Sequence, residues 1–179
     1  TTNAPGSTVS ALNEYWNGSS WAEQGDLNAG RHSLATSGVY TSGLAAGGYT
    51  GTANSAANEL WNGSSWTETT DMNTARRGSS SSGPSSTSVL VSAGYSTAYS
   101  TIAESWNGSS WAETADMSVG REQGDGAGTS ASALIFGGDA SPGDTASTEE
   151  FTQNAPVGAW STSTALNLGR FSAAGSPAG

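Results

Sequence analysis

Among its 179 residues the chain has no cysteine, no lysine and a single histidine, His32. The lack of cysteine excludes disulfides and thiolate metal sites, and it leaves the redox compartment undetermined. The five basic residues are all arginines, against 15 acidic residues and a net charge of −10. Nucleic acids and anionic membranes are both bound through cationic patches, so neither is an expected partner.

Long apolar runs are also missing. No segment approaches the roughly 20 apolar residues of a membrane helix, so membrane insertion is not expected. Leu, Ile, Val and Phe together number only 20, a proportion that would ordinarily indicate disorder in so charged a chain. The regular phase of all seven tryptophans argues against disorder. We therefore expect a folded core of tryptophan together with Ala, Gly and Ser.

The chain is organised around a repeated hexapeptide, Trp-Asn-Gly-Ser-Ser-Trp. Its three copies, 45 residues apart, run from Trp16 to Trp21, from Trp61 to Trp66 and from Trp106 to Trp111. Asn-Gly between two β-prone segments predicts a hairpin, because a type I′ turn needs positive φ at both central residues. We expect a two-residue turn that sets Glu14 opposite Trp21. A four-residue loop would instead set Glu14 opposite Glu23, and like charges in that position destabilise a hairpin.

Each tryptophan can bury on the order of 200 Å², and an isolated hairpin cannot shelter that surface. The repeat is therefore expected to bury its tryptophans by stacking unit on unit. In the fourth unit Phe151 and Trp160 replace the two tryptophans and enclose a longer loop.

Three further features keep the same phase. A short apolar strand ends in Gly-Gly, or in Ala93-Gly94 in one copy. A glutamate stands two residues before an aromatic residue, at Glu14, Glu59, Glu104 and Glu149. An arginine precedes the next strand, at Arg31, Arg76, Arg121 and Arg170. We predict four strands and no helix per unit.

The predicted organisation is a single domain over residues 1–179. Its repeat units are approximately 10–54, 55–99, 100–144 and 145–179, and the last is incomplete because it lacks the Gly-Gly strand. Completion by further repeats of a longer array and completion by a second copy, in a homo-oligomer, both remain open.

In this order the Gly-Gly strand, the glutamate, the hairpin tryptophan, the Met or Leu and the arginine resemble the kelch repeat family of β-propellers. The likeness covers nearly the whole chain, although the unit is shorter than the usual kelch repeat. It implies an all-β fold of about four four-stranded blades around a central channel. The near-identical hexapeptides also look like repeat arrays encoded by phages and bacteria, which implies an extracellular or virion-surface setting.

The phased arginines and glutamates have two interpretations. They form ion pairs between blades that hold the repeat in register, or the arginines form a ring of guanidinium groups that binds carboxylate or phosphate. The loop tyrosines Tyr49, Tyr95 and Tyr99 are further candidate binding residues.

Catalytic and metal sites are not expected. A Ser-His-Asp site would have to use His32, and the next two units place Arg77 and Glu122 at the corresponding position. We therefore predict no catalytic residue, metal or cofactor. The leading function is a non-enzymatic interaction or structural module that binds a protein partner through loops on one face. The alternative is a carbohydrate-binding propeller, and a kelch-type enzyme ranks third.

Overall fold

The computed structural model describes residues 9–153, 158–166 and 169, and the regular elements assigned within these ranges are all β-strands. The first hairpin consists of β1 (Glu14–Trp16) and β2 (Trp21–Glu23).

Three four-stranded antiparallel sheets follow, named here sheets A, B and C. Sheet A contains β3 (Ala35–Val39), β4 (Ser42–Ala46), β5 (Asn58–Trp61) and β6 (Trp66–Glu68). Sheet B contains β7 (Ser80–Ser85), β8 (Ser88–Ser92), β9 (Ala103–Trp106) and β10 (Trp111–Glu113). Sheet C begins with β11 (Asp125–Gly128) and β12 (Ser132–Phe136). A small hairpin of β13 (Asp139–Ala140) and β14 (Gly143–Asp144) then precedes the last two strands of sheet C, β15 (Thr148–Thr152) and β16 (Ala159–Thr162).

The three sheets have one plan. The inner pair of each is the strand after the phased arginine together with the apolar strand, and the outer pair is the aromatic hairpin. The first inner strands lie side by side, since β7 contacts both β3 and β11. The all-β class and the four-stranded sheets are thus confirmed, although the third repeat unit also contains the small β13–β14 hairpin. The arrangement is consistent with a β-propeller-like fold. Each sheet takes its inner pair from one repeat unit and its outer pair from the next, so a sheet joins successive units.

The predicted two-residue turn is wrong. Trp16 pairs with Trp21, and Glu14 faces Glu23 across a four-residue loop. The Asn17 side chain stabilises this loop, because its Oδ1 accepts hydrogen bonds from the backbone N–H groups of residues 19 and 20 at 2.9 and 3.0 Å. Gly18 supplies the required left-handed backbone at φ 97°.

The repulsion between the two facing glutamates, which argued against this register, is reduced in the later copies. Glu59, opposite Glu68, is buried and ion-paired with Arg31, whereas Glu68 is exposed. The charge of Glu59 is therefore balanced by an arginine rather than left facing another carboxylate.

The core lies between neighbouring sheets. Leu44 of sheet A and Val89 of sheet B belong to one buried cluster with Trp106 and Trp111. The equivalent cluster between sheets B and C contains Leu90 and Phe151, with Trp160 packed against it. Alanines belong to both clusters.

Burial of the tryptophans is only partly as expected. Trp61, Trp106 and Trp111 are buried, but the side chains of Trp16 and Trp21 are 46% and 65% exposed. The physical reason is that no inner strand pair flanks the β1–β2 hairpin among the described residues. Its tryptophans therefore lack the neighbours that cover the other copies.

The second glycine of each Gly-Gly step is required by close backbone approach. Gly48, Gly94 and Gly138 have φ values of 104°, 103° and 97°. A Cβ on Gly94 would lie 2.8 Å from the carbonyl oxygen of Arg77. In sheet B an alanine, Ala93, occupies the first position of the step at φ 62°. The Ala93-Gly94 variant therefore preserves the geometry of the step.

Candidate functional site

Each sheet contains a buried ion pair between the arginine that precedes its first strand and the glutamate on its third strand. The pairs are Arg31–Glu59, Arg76–Glu104 and Arg121–Glu149. All six side chains are almost completely shielded from solvent, and the Arg121 Nη2 to Glu149 Oε1 distance is 2.8 Å. In each pair the glutamate lies on a strand of the sheet, and the arginine lies on the connector that leads into that sheet. The expected pairing of these residues is therefore present, and each pair joins the connector from one sheet to a strand of the next.

Sheet B illustrates how each pair fixes the chain. The Arg76 guanidinium donates to Glu104 Oε1 and to the carbonyl oxygen of Val91. Glu104 also accepts backbone hydrogen bonds from Asn73 at 2.7 Å and Thr74 at 3.3 Å. These two residues belong to the connector that arrives from the outer strand of sheet A. The carboxylate thus ties the connector between two sheets to the sheet that follows it.

The ionisation of these groups reflects their burial. Burial alone would raise the pKa of Glu59, but hydrogen bonds from the Asn28 backbone N–H and from Arg31 outweigh it and lower that pKa. Burial lowers the pKa of Arg76 and of Arg121, and the negative charge of each glutamate partner opposes that shift.

The arginines offered above as binding residues are therefore occupied. The guanidinium groups of Arg31, Arg76 and Arg121 lie inside the protein and bind its own glutamates and carbonyl oxygens. Arg170 lies outside the described residues. Glu14, in phase with the buried glutamates, is exposed.

A second group of polar and aromatic side chains lies at the end of the inner strands that carries the Gly-Gly step. In each sheet the residue after the phased arginine forms an antiparallel bridge with the residue after the second glycine. The bridges are His32 with Tyr49, Arg77 with Tyr95, and Glu122 with Asp139.

Backbone hydrogen bonds hold the three bridges next to one another. The Gly78 N–H donates to the Ser33 carbonyl at 2.9 Å, and the Gln123 N–H donates to the Gly78 carbonyl at 2.7 Å. All three residues have positive φ, between 55° and 61°. The bridges therefore form one continuous surface across sheets A, B and C.

Arg77 lies at the centre of this surface. Its guanidinium carbon is 4.6 Å from the ring centroid of Tyr95 and 5.3 Å from that of Tyr49, which places it in cation–π contact with both. Its Nη1 donates to Asn54 Oδ1 at 3.2 Å, and its Nε is 3.7 Å from Glu122 Oε2. One partly exposed arginine thus contacts side chains from all three sheets.

Tyr99 and Asp139 extend the same surface. The Tyr99 ring packs edge-on against Tyr95, with centroids 5.7 Å apart. The Tyr99 hydroxyl donates to Asp139 Oδ2 at 2.7 Å, and this hydrogen bond is the main reason that the pKa of Tyr99 is raised to about 12. Burial raises the pKa of the neighbouring Glu122, Arg77 lowers it, and Asp139 raises it again, with a net upward shift.

We call these side chains the Arg77 cluster. Its members are His32, Tyr49, Asn54, Arg77, Tyr95, Tyr99, Glu122 and Asp139. The structure thus brings together the three tyrosines singled out from the sequence. Sequence reasoning missed the roles of Arg77, Asn54, Glu122 and Asp139. For Arg77, Glu122 and Asp139 the sequence did carry a signal: the positions after the phased arginine and after the second glycine change from copy to copy, while the residues around them repeat.

His32 lies at the edge of the Arg77 cluster. Its exposed ring packs 5.5 Å from that of Tyr49, and its Nδ1 lies 3.0 Å from Ser33 Oγ. Within the described ranges, no group of three or more His, Asp or Glu side chains is arranged to hold a metal ion. The same part of the chain contains no helix that could cross a membrane.

Comparisons with known proteins identify a likeness of fold. No protein-family model matches the chain, and no curated protein sequence does. Among solved structures, the one titled "Structure of YjhT" matches with a TM-score of 0.66 and 15% sequence identity. The match covers 79% of this chain and 48% of that one, so the chain spans about half the length of this neighbour. The protein is thus similar to this structure in its fold: an all-β chain of four-stranded antiparallel sheets, consistent with a β-propeller-like architecture.

Proposed function

We propose that this protein is a non-enzymatic interaction module that binds a protein partner through the Arg77 cluster. The proposal includes the finer architecture: the sheets are blades of a kelch-like propeller of about four blades with a 45-residue period. It also includes an extracellular or virion-surface setting. The observation that carries the binding role is the placement of Arg77 between two tyrosine rings on a continuous, partly exposed surface.

The composition of this surface favours recognition of another protein. Arginine and tyrosine are among the residues that contribute most binding energy in protein interfaces. The Arg77 side chain is already restrained by its contacts with Asn54 and the two rings, so less side-chain entropy is lost when a partner binds.

The repeated ion pairs, which form a constant frame, and the varying bridge residues together support a role in binding a protein partner. The buried arginine–glutamate pairs recur in all three sheets, whereas the bridge residues differ between sheets as His–Tyr, Arg–Tyr and Glu–Asp. The frame therefore presents a different pair of side chains from each sheet. Such a surface suits an asymmetric partner, with an anionic group near Arg77 and a donor near Glu122 and Asp139.

Selection of peptides from a displayed random library against the whole protein tests this proposal. We expect enriched peptides to carry an acidic residue next to apolar ones, and to bind the Arg77→Ala and Tyr95→Ala variants at least about tenfold more weakly. Ala112→Glu, on the exposed part of β10, is the control and should bind the peptides as wild type does. Peptides that bind all three variants equally well would contradict the proposal.

Carbohydrate binding is the second candidate. The partly exposed rings of Tyr49, Tyr95 and Tyr99 lie beside carboxylate, amide and guanidinium groups. Flat rings next to hydrogen-bonding side chains suit the apolar face and the hydroxyl groups of a sugar. A glycan array distinguishes the candidates: saturable glycan binding that Tyr95→Ala abolishes would favour a lectin over a protein-binding module. An array without signal at high protein concentration would exclude the lectin.

A further inference from the structure

The β1–β2 hairpin has the sequence of an outer strand pair, but no inner pair accompanies it among the described residues. In sheets A, B and C the strand equivalent to β1 pairs on both sides, since β5, β9 and β15 each lie between two strands. Within the described ranges β1 pairs with β2 alone. As far as the described residues go, its other edge presents backbone groups that its three counterparts use in strand pairing.

The tryptophan of β1 is more exposed than its counterparts on β5 and β9. The indole N–H of Trp61 donates to the Tyr40 carbonyl, and that of Trp106 donates to the Ser86 carbonyl. Both acceptors lie in the turn of the inner strand pair of the same sheet. Trp16 has the same phase but is 46% exposed.

A cavity of about 500 Å³ lies along this edge. Its walls include Glu14 and Tyr15 of β1 and Val39 and Tyr40 of sheet A, and it extends to the first inner strands of sheets B and C. Val39 and Tyr40 are 62% and 49% exposed. Two of the exposed apolar side chains of the described residues thus line the space that an inner strand pair would fill beside β1.

We propose that the free edge of β1 is an acceptor site for a β-hairpin of this repeat's own inner type. The occupant is a hairpin with an arginine ahead of its first strand and apolar or small residues in its second, as in β7–β8. It adds to β1 as an antiparallel strand, the mode known as β-augmentation.

The existing sheets define the register of the complex. Val89 pairs with Trp106, and Val91 pairs with Glu104. The incoming strand therefore places equivalent residues opposite Trp16 and Glu14. Its arginine reaches Glu14 as Arg76 reaches Glu104. In this register Glu14 gains the arginine partner that Glu59, Glu104 and Glu149 already have. Without the incoming strand Glu14 is exposed, whereas its three counterparts are buried.

The probe is a synthetic peptide of residues 76–94, added to the whole protein. The peptide contains no tryptophan, so tryptophan fluorescence reports only on the protein. We expect saturable binding of one peptide per chain, with a shift of the emission to shorter wavelength as Trp16 and Trp21 leave water. The double variant Trp16→Phe, Trp21→Phe should bind without that shift.

Charge variants test the register. Glu14→Gln should weaken binding by at least about tenfold, because it leaves the peptide arginine buried without a partner. Glu113→Gln, which removes an exposed glutamate on β10 of sheet B, is the control and should bind as wild type does. A peptide with Arg76→Gln should bind wild type weakly and lose little further affinity for the Glu14→Gln variant. Equal binding of the original peptide to the Glu14→Gln variant and to wild type would overturn the proposal.

A fusion protein tests the proposal if the free peptide binds weakly because it is unstructured in solution. The same segment is joined ahead of residue 10 by a flexible Gly-Ser linker, which raises its effective concentration to the millimolar range. We expect acrylamide quenching of Trp16 to fall and the Tm to rise, and we expect the Glu14→Gln variant to lose the Tm increase. A fusion that leaves both quantities unchanged overturns the proposal, because β1 is then either unable to accept the strand or already covered.

Discussion

At the scale of single residues, two neighbouring arginines have different roles because they point to different surroundings. Arg76 is buried and bound to Glu104, whereas Arg77 is partly exposed and lies against tyrosine rings. The buried pair positions a connector, whereas the partly exposed Arg77 side chain lies on the surface of the protein. Sequence position alone does not separate them, since both belong to one Arg-Arg dipeptide.

Replacement of each arginine by leucine separates these roles. Arg76→Leu should lower the free energy of unfolding by about 3–5 kcal/mol, because Glu104 is left buried with its charge uncompensated. Arg77→Leu should lower it by less than about 1 kcal/mol, since its ion pair is partly solvated. Urea unfolding of both variants measures the difference. Equal losses would contradict the assignment of roles.

The Gly-Gly step gives a second residue-scale prediction. Gly94→Ala should destabilise the protein by about 2 kcal/mol or more, because a Cβ would lie 2.3 Å from Ser79 Oγ and 2.8 Å from the Arg77 carbonyl oxygen. Ala93→Gly should range from neutral to about 1 kcal/mol stabilising, because it relieves a left-handed alanine at φ 62°. Thermal unfolding monitored by circular dichroism compares the two. A more damaging Ala93→Gly would show that the close approach is misassigned.

At the scale of elements, the aromatic hairpins depend on the asparagine side chain of the turn. Asn62 Oδ1 accepts the backbone N–H groups of Ser64 at 2.9 Å and Ser65 at 3.0 Å, as Asn17 and Asn107 do in their own loops. This capping, together with glycine at positive φ, selects the four-residue loop over the type I′ turn that Asn-Gly alone favours.

Substitution in the second hairpin tests this dependence. Asn62→Ala should lower the free energy of unfolding by about 1–2 kcal/mol, because two backbone N–H groups lose their acceptor. Ser64→Ala removes only a hydroxyl that donates to the same oxygen at the surface, so its effect should be within about 0.5 kcal/mol. Chemical denaturation measures both. An Asn62→Ala variant as stable as Ser64→Ala would show that the loop geometry does not depend on the side chain.

At the scale of the whole molecule, much of the fold follows from the sequence. The 45-residue phase predicts the four strands per repeat, and the shared phase of arginine and glutamate predicts that they pair. Where the arginine and the glutamate of a pair lie relative to the sheets depends on the position within the 45-residue repeat at which each sheet begins. The repeat spacing alone does not give that position. Exposure of Trp16 and Trp21 depends on what lies beside β1, which the hexapeptide itself does not encode. The three tyrosines of the Arg77 cluster were predicted as binding residues, but Arg77, Asn54, Glu122 and Asp139 were not, because these four lie far apart in the chain and differ from copy to copy.

The dependence of stability on pH combines opposing contributions. The pKa of Glu59 is lowered below its ordinary value of 4.5 in the folded state. Its stabilisation is therefore fully present above 4.5 and is lost as the pH falls through the folded pKa. The pKa of Glu122 is raised, so its ionisation weakens the fold as the pH rises from 4.5 through the folded pKa.

Unfolding free energies measured from pH 3 to pH 8 should display both signs. Glu59→Gln should flatten the loss of stability in acid and be less stable than wild type at pH 7. Glu122→Gln should match wild type most closely below pH 4.5 and be the more stable protein above the raised folded pKa. A Glu122→Gln variant that is less stable than wild type at pH 7 would show that the ion pair with Arg77 outweighs burial.

The aromatic hairpins are buried between neighbouring sheets, except at the edge of β1, which is open among the described residues. Hydrogen exchange of the tryptophan indole N–H groups, followed by NMR with assignments from single Trp→Phe variants, tests it directly. The indoles of Trp61, Trp106, Trp111 and Trp160 donate to backbone carbonyls at 2.7 to 3.1 Å and should exchange slowly. Those of Trp16 and Trp21 should exchange at rates close to those of a free peptide. Fast exchange of all the indoles would contradict the packing of the sheets, and slow exchange at Trp16 and Trp21 would contradict the open edge.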